Sequence, residues 1–261
     1  MDEWTAFPFD AAPYRRDAAT LRRLWPRLHA GDAEPLPADQ ATLAAWALYH
    51  AGEFRRAVDA GLQVAADGTP GGMRVANRAQ AVYATYLEPS EVAKQALFLE
   101  VAARAERRVA DDPTDAGAWY GLGYALGRYG QSISVAKALS QGLGMRVKTA
   151  LETTIRISPL HAEAHLALGS FHAEIIDKVG ALLGLTQGVS KDAGLAFYKS
   201  ALRLNPTSAI AMVETARGLV MLEGEKRMEE ATSLYRAAAA CVPLDAAERL
   251  EIEMAKAELE D

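Results

Sequence analysis

Prolines cut this chain at intervals that a single globular core would have no reason to keep. Pro35, Pro70, Pro113, Pro159, Pro206 and Pro243 follow one another at 35, 43, 46, 47 and 37 residues. Each stands just ahead of an alanine-rich stretch with helical spacing. Proline removes a helical hydrogen bond and clashes with the turn before it, so each one marks the hand-over from one helical unit to the next. Periods of this length belong to stacked repeats, in which each unit buries its apolar face only against its neighbours.

Three units align residue by residue. Pro113, Pro159 and Pro206 are followed at equal offsets by Trp119, His165 and Met212, then by the small residues Gly123, Gly169 and Ala216, then by Leu126, His172 and Leu219. Large, small and large residues at helical spacing make a face that a second helix can approach closely, and Trp119 is expected in that core. The second helices repeat too: Leu151 to Pro159 matches Tyr198 to Pro206, with Tyr235 to Pro243 a looser copy.

Trp119-x-x-Leu122-Gly123-x-x-Leu126-x-x-x-Gly130 resembles the first-helix signature of a tetratricopeptide repeat, and Ala231, Tyr235, Ala238 and Pro243 resemble the second. The resemblance implies an all-α, right-handed solenoid of about five helix-turn-helix repeats over residues 35–243. Residues 1–34, with Trp4, Phe7, Phe9, Tyr14 and Trp25, read as an aromatic-rich arm. Residues 244–261 read as an amphipathic capping helix, with Ala247, Leu250, Met254 and Ala257 on one stripe.

Two units exceed the family's usual length through apolar inserts between their helices, Ser132 to Gly144 and Asp177 to Val189. Both contain Leu-[Ser/Thr]-Gln-Gly, and apolar, glycine-bearing inserts of this size are expected to tuck against the stack as extra helical turns. These inserts, the Trp119 region and the Ser-Pro and Asn-Pro exits are similar to the layout of the regulator of microtubule dynamics family over residues 88–245. Animal members of that family often carry a membrane anchor. No apolar stretch here is long enough to span a bilayer.

Several function classes lose support. The net charge is −6, from 34 acidic and 28 basic residues, and no basic face offers itself to phosphates, so nucleic acid is not an expected partner. Cys241 is the single cysteine, which leaves no internal disulfide and no thiolate cage. The N-terminus is acidic where a secretory signal is basic, and a cytoplasmic location is the expectation. Neither a nucleophile elbow, a zincin helix nor a phosphate loop occurs, so a non-enzymatic role without cofactor is expected. The glycines Gly121, Gly123 and Gly127 lie within a helix pattern and read as packing.

His161, His165 and His172 fall close together around one helix, a spacing from which a metal could in principle be held. His165 and His172 occupy the offsets of Trp119 and Leu126, so they are expected to serve the helix pair, and no metal site is assigned. The concave wall, formed by the first helix of each unit, is the expected binding surface. In this register it presents Trp46 and Tyr49 at one end, Tyr120, Tyr124 and Arg128 in the middle, and Leu166, Ser170, Glu174 and Arg217 further on. The lysines and asparagines of a carboxylate clamp are missing from these offsets.

Two occupants follow. A protein or peptide partner would lie in the groove, anchored on Trp46, Tyr120 and Tyr124. Alternatively the inserts close the groove over an apolar, lipid-like molecule, which requires an enclosed cavity rather than an open trough. A third expectation is that the protein's own arm plugs the groove, with Asp2 and Glu3 facing Arg128, or that another copy fills it in a homo-oligomer.

Overall fold

The computed structural model describes residues 4–186 and 188–260, all of whose regular elements are helical. After a short 3-10 turn at Ala12–Tyr14, α1 (Ala18–Leu28) leads into five helix pairs. These are α2 (Gln40–His50) with α3 (Phe54–Ala66), and α4 (Gly71–Tyr86) with α5 (Glu91–Asp111). The third pair, α6 (Ala116–Gln131) and α8 (Leu143–Ile157), is interrupted by α7 (Val135–Ser140). The fourth, α9 (Ala162–Val179) and α11 (Lys191–Leu204), is interrupted by α10 (Ala181–Thr186). The last pair, α12 (Ala209–Glu223) and α13 (Met228–Ala239), precedes α14 (Ala246–Glu260).

The prolines act through the residue two positions after them. Asp39, Asp115, His161 and Ser208 follow Pro37, Pro113, Pro159 and Pro206, and each caps a first helix. They accept the backbone N–H of Thr42 at 2.7 Å, Ala118 at 3.0 Å, Ala164 at 3.2 Å and Ala211 at 3.2 Å. Asp245, two past Pro243, accepts from Glu248 at 2.8 Å. Such a cap contributes roughly 1 kcal/mol by satisfying an otherwise orphaned donor. This rule moves the first unit's start from Pro35 to Pro37. Pro70 departs from it, standing itself at the head of α4 without a side-chain cap.

Close approach within a unit comes from the small residue in each first helix. A Cβ on Gly123 would lie 2.9 Å from the Leu151 side chain, and one on Gly169 would lie 2.8 Å from the Tyr198 ring. Leu151 and Tyr198 occupy matching positions in α8 and α11, so the same slot recurs with a different key. Trp119 is not the core residue expected. It is half-exposed at the edge of the cluster, where its Nε1 donates to the Pro113 carbonyl at 2.9 Å. The turn before the helix needs a clasp there, and the ring spans that turn.

The two ends of the solenoid meet. Residues of the expected arm (Tyr14, Leu21, Trp25), of the first pair (Leu43, Trp46, Tyr49) and of α14 (Ala246, Ala247, Leu250) share one apolar cluster. Trp4 stacks on Tyr83 with ring centroids 3.8 Å apart, Phe7 packs beside Gly52 and Ala246, and Arg249 lies over the Phe9 ring at 4.6 Å. The aromatic arm therefore clamps α14 to the first pair instead of plugging the groove. Asp2 and Glu3 lie outside the described residues, as does Gln187 of the second insert.

Candidate functional site

Because α14 returns to α2, the inner faces of α2, α4, α6, α9, α12 and α14 surround a central chamber of about 240 Å³. Trp46, Tyr120, Tyr124, Arg128, Leu166, Ser170 and Glu174 all line it. Tyr49 and Arg217 do not. Tyr49 is buried in the first core cluster, and Arg217 is held by Glu214 at 2.9 Å and by Glu258. Val135, Ala138 and Leu139 of α7 also line the chamber, so the first insert forms part of its wall. Of the second insert, Lys178 and Val179 reach the wall as well, while Gly184 packs against Ile176 and Val189.

Charged groups inside the chamber are mostly neutralised by one another. Arg78 grips Glu163 with both guanidinium ends, the longer contact being 2.6 Å, and donates to the Tyr49 hydroxyl at 3.2 Å. Arg74 binds Glu34 at 2.8 Å and Asp115 at 3.2 Å. Burial still pushes the Glu34 carboxyl up to about 7, because the cost of desolvation outweighs its arginine partner. Arg128 lies over the Tyr124 ring at 5.3 Å and 4.0 Å from Glu214. The Tyr124 and Thr85 hydroxyls bond at 2.9 Å. The turn after α1 seals one end: Gly31 accepts the Glu163 N–H at 2.9 Å, and Glu34 accepts from Trp25 Nε1 at 2.8 Å.

Repeat logic did not reveal the seam that closes the ring. His29 Nδ1 lies 2.9 Å from Asp32, the two Nε2 atoms of His29 and His50 are 3.3 Å apart, and His50 Nδ1 lies 2.6 Å from Asp245. Both rings are almost completely buried, between Trp25 and Trp46. Each carboxylate can only accept, so each Nδ1 carries hydrogen, and the Nε2 contact is a bond only with one proton between the rings. Burial holds the His50 pKa down, while the hydrogen bond from His50 holds the Asp245 carboxyl below its usual range against the cost of burial. A lone His50 in an apolar helix face and an Asp two residues past a proline carry no signal that they are partners. Only closure makes them so.

The three α9 histidines separate. His161 caps its helix and packs 4.4 Å from the Tyr120 ring centroid. His165 reaches the Pro159 carbonyl at 3.2 Å, the same clasp as Trp119 on Pro113. His172 accepts the Ser190 N–H through Nδ1 at 2.9 Å. Among the described residues no group of three potential ligands could hold a metal ion, and no helix is long and apolar enough to cross a membrane.

Comparison with known proteins shows the fold. The crystal structure of a thermophilic TPR protein from Thermus thermophilus superimposes with a TM-score of 0.59 at 19% identity, covering 83% of this chain and 97% of that one. The chain thus has an all-α, tetratricopeptide-like solenoid fold. No family model and no curated protein matches it.

Proposed function

We propose that this chain is a binding protein that holds a small, mainly apolar molecule in the central chamber. The observation that supports this reading is the return of α14 to the first pair, which adds Glu251 to the border of the concave wall and, with α7, leaves a half-open chamber in place of a plain trough. Apolar cavities of about 150 Å³ take benzene, and ligand pockets usually span about 300–1,000 Å³. A chamber of about 240 Å³ suits a compact ligand, or a longer one whose tail leaves past α7. Among the described residues that line the chamber, none pairs a nucleophile with a base as covalent catalysis requires.

A peptide scaffold is the second reading. Its surface would be the rim, where Val135, Leu139 and Met145 are exposed, because Trp46 and Tyr49 are packed at the seam and offer no open anchor. The layout shared with the regulator of microtubule dynamics family rests on sequence alone and names no partner.

The test is to fill the chamber. Gly127 lines it and has room for a Cβ, its nearest neighbour being Val147 at 3.9 Å. Gly127→Leu should abolish heat of binding for 1-octanol in calorimetry while leaving the thermal melt intact. Mass spectra of solvent extracts should show a co-purified small molecule in the parent protein and none in the variant. Unchanged octanol binding by the filled protein, or none by the parent, would sink this reading.

A further inference from the structure

One charge in the chamber is left without a partner. Arg74, Arg78 and Arg128 are each committed to a carboxylate. Glu251, on α14, lines the same space, yet among the described residues nothing donates a hydrogen bond to it. Tyr86 lines the space too, its hydroxyl equally without a partner. An unpaired carboxylate is among the most costly groups to bury. Burial holds the Glu251 carboxyl well above its ordinary range, with repulsion from Glu163 and Glu248 acting the same way and Arg78 opposing. The half-buried site therefore favours the neutral carboxyl over the bare carboxylate, a preference that a positive charge placed beside it would reverse.

Resting on the reading of the chamber as a ligand site, we infer that the ligand is an organic cation: an ammonium carried on an apolar body, its charge against Glu251 and beside the ring of Tyr86, the rings of Tyr120 and Tyr124 already carrying Arg78 and Arg128. Aromatic faces attract such a cation more strongly where water is excluded. An anion would have to prise a carboxylate from Arg78 or Arg128, and a neutral ligand would leave Glu251 unused. The exchange balances: the carboxyl releases its proton to solvent as the ammonium takes its place, so one proton leaves for each ligand bound. Below the pKa of Glu251 the apparent affinity then climbs with pH, by up to about tenfold per unit.

Calorimetry with octyltrimethylammonium, 1-octanol and octanoate separates the possibilities in the full chain. The cation should bind at least tenfold more tightly than the alcohol at pH 7.5, with a heat that changes with the ionisation enthalpy of the buffer. Glu251→Gln should bring the cation to within about twofold of the alcohol measured on the same variant and remove the buffer dependence. Equal affinities in the parent protein, or tighter octanoate, would overturn the cation assignment while octanol binding still supported the chamber. If none of the three binds, both readings fall.

Discussion

The joint inside a repeat and the seam that closes the ring are both buried, but they are made of opposite materials. In the α9/α11 joint, Tyr198 fills a slot left by Gly169 and Gly218 and brings a single polar atom, whose hydroxyl reaches Ser170 at 3.3 Å. At the seam, the closing contacts are a file of four ionisable side chains, Asp32, His29, His50 and Asp245, wrapped in tryptophan. Arg16 adds a bond to the Leu244 carbonyl, and Arg27 lies 3.5 Å from Glu248. Apolar burial is non-directional and indifferent to pH, whereas a file of histidines and carboxylates changes strength with every proton it gains or loses. The joints make the solenoid, and the seam decides whether it is a ring.

The largest effect should come from the joint. Tyr198→Ala empties a slot between three helices and should cost roughly 3 to 5 kcal/mol in urea unfolding. Gly169→Leu alone should also destabilise, since its side chain would enter the Tyr198 ring, yet in the Tyr198→Ala background it should recover part of the loss. Additive losses in the double variant would mean that the slot does not pair these residues.

A smaller and different effect is expected at the seam. His50→Ala strands the Asp245 carboxylate and the His29 ring in a dry site, costing about 2 to 3 kcal/mol. It should also loosen the ring, so hydrogen exchange should accelerate in α14 and α1 while α9 and α11 keep their protection. Uniform acceleration along the chain would show that seam and joints form one cooperative unit.

Acid should reproduce the seam's weakness without mutation. The folded state holds His50 below its ordinary pKa, so the unfolded chain takes up more protons as the pH falls through about 6.5. Asp32 and Asp245, whose carboxyls are held low, add a second loss as the pH falls below about 4. Both signs run the same way: the seam is strongest near neutrality and weakens in acid. Between pH 7.5 and 5.5 the His50 contribution should be a loss of about 1 kcal/mol, read as the difference between the parent protein and His50→Ala, because the Glu34 carboxyl, held up to about 7, gains stability over the same interval in both. An equal loss in the two proteins would remove His50 from the account.

These two materials also explain what the sequence made legible. Joints repeat, so the offsets of Gly123, Gly169, Leu151 and Tyr198 from their prolines exposed the packing, and the same register put Tyr120, Tyr124, Arg128, Leu166 and Ser170 on the concave side. Trp119 was misjudged because a repeat shows that a position matters without showing whether it faces the core or clasps a turn. His165 makes that clasp with a different ring. The seam pairs His50 with a residue 195 positions away, and it occurs once, so no periodicity carries it. Glu251 was hidden for the same reason: on a capping helix an acid reads as solvated, and closure is what puts it indoors.

The smallest change to the seam tests its geometry most gently. The turn after α1 must bring His29 and Asp32 together and still pass Gly31 to Glu163, and it does so with Ala33 at φ 51°. An L-residue held there is strained by roughly 1 kcal/mol, which glycine avoids, although glycine also gains freedom in the unfolded chain. With the strain outweighing that entropy, Ala33→Gly should stabilise the protein by about 0.5 kcal/mol in urea unfolding. If the turn's strain bears on the ring, the gain should shrink when His50→Ala has already loosened the seam. The same gain in both backgrounds would make it a property of the turn alone, with closure imposing nothing on the backbone that serves it.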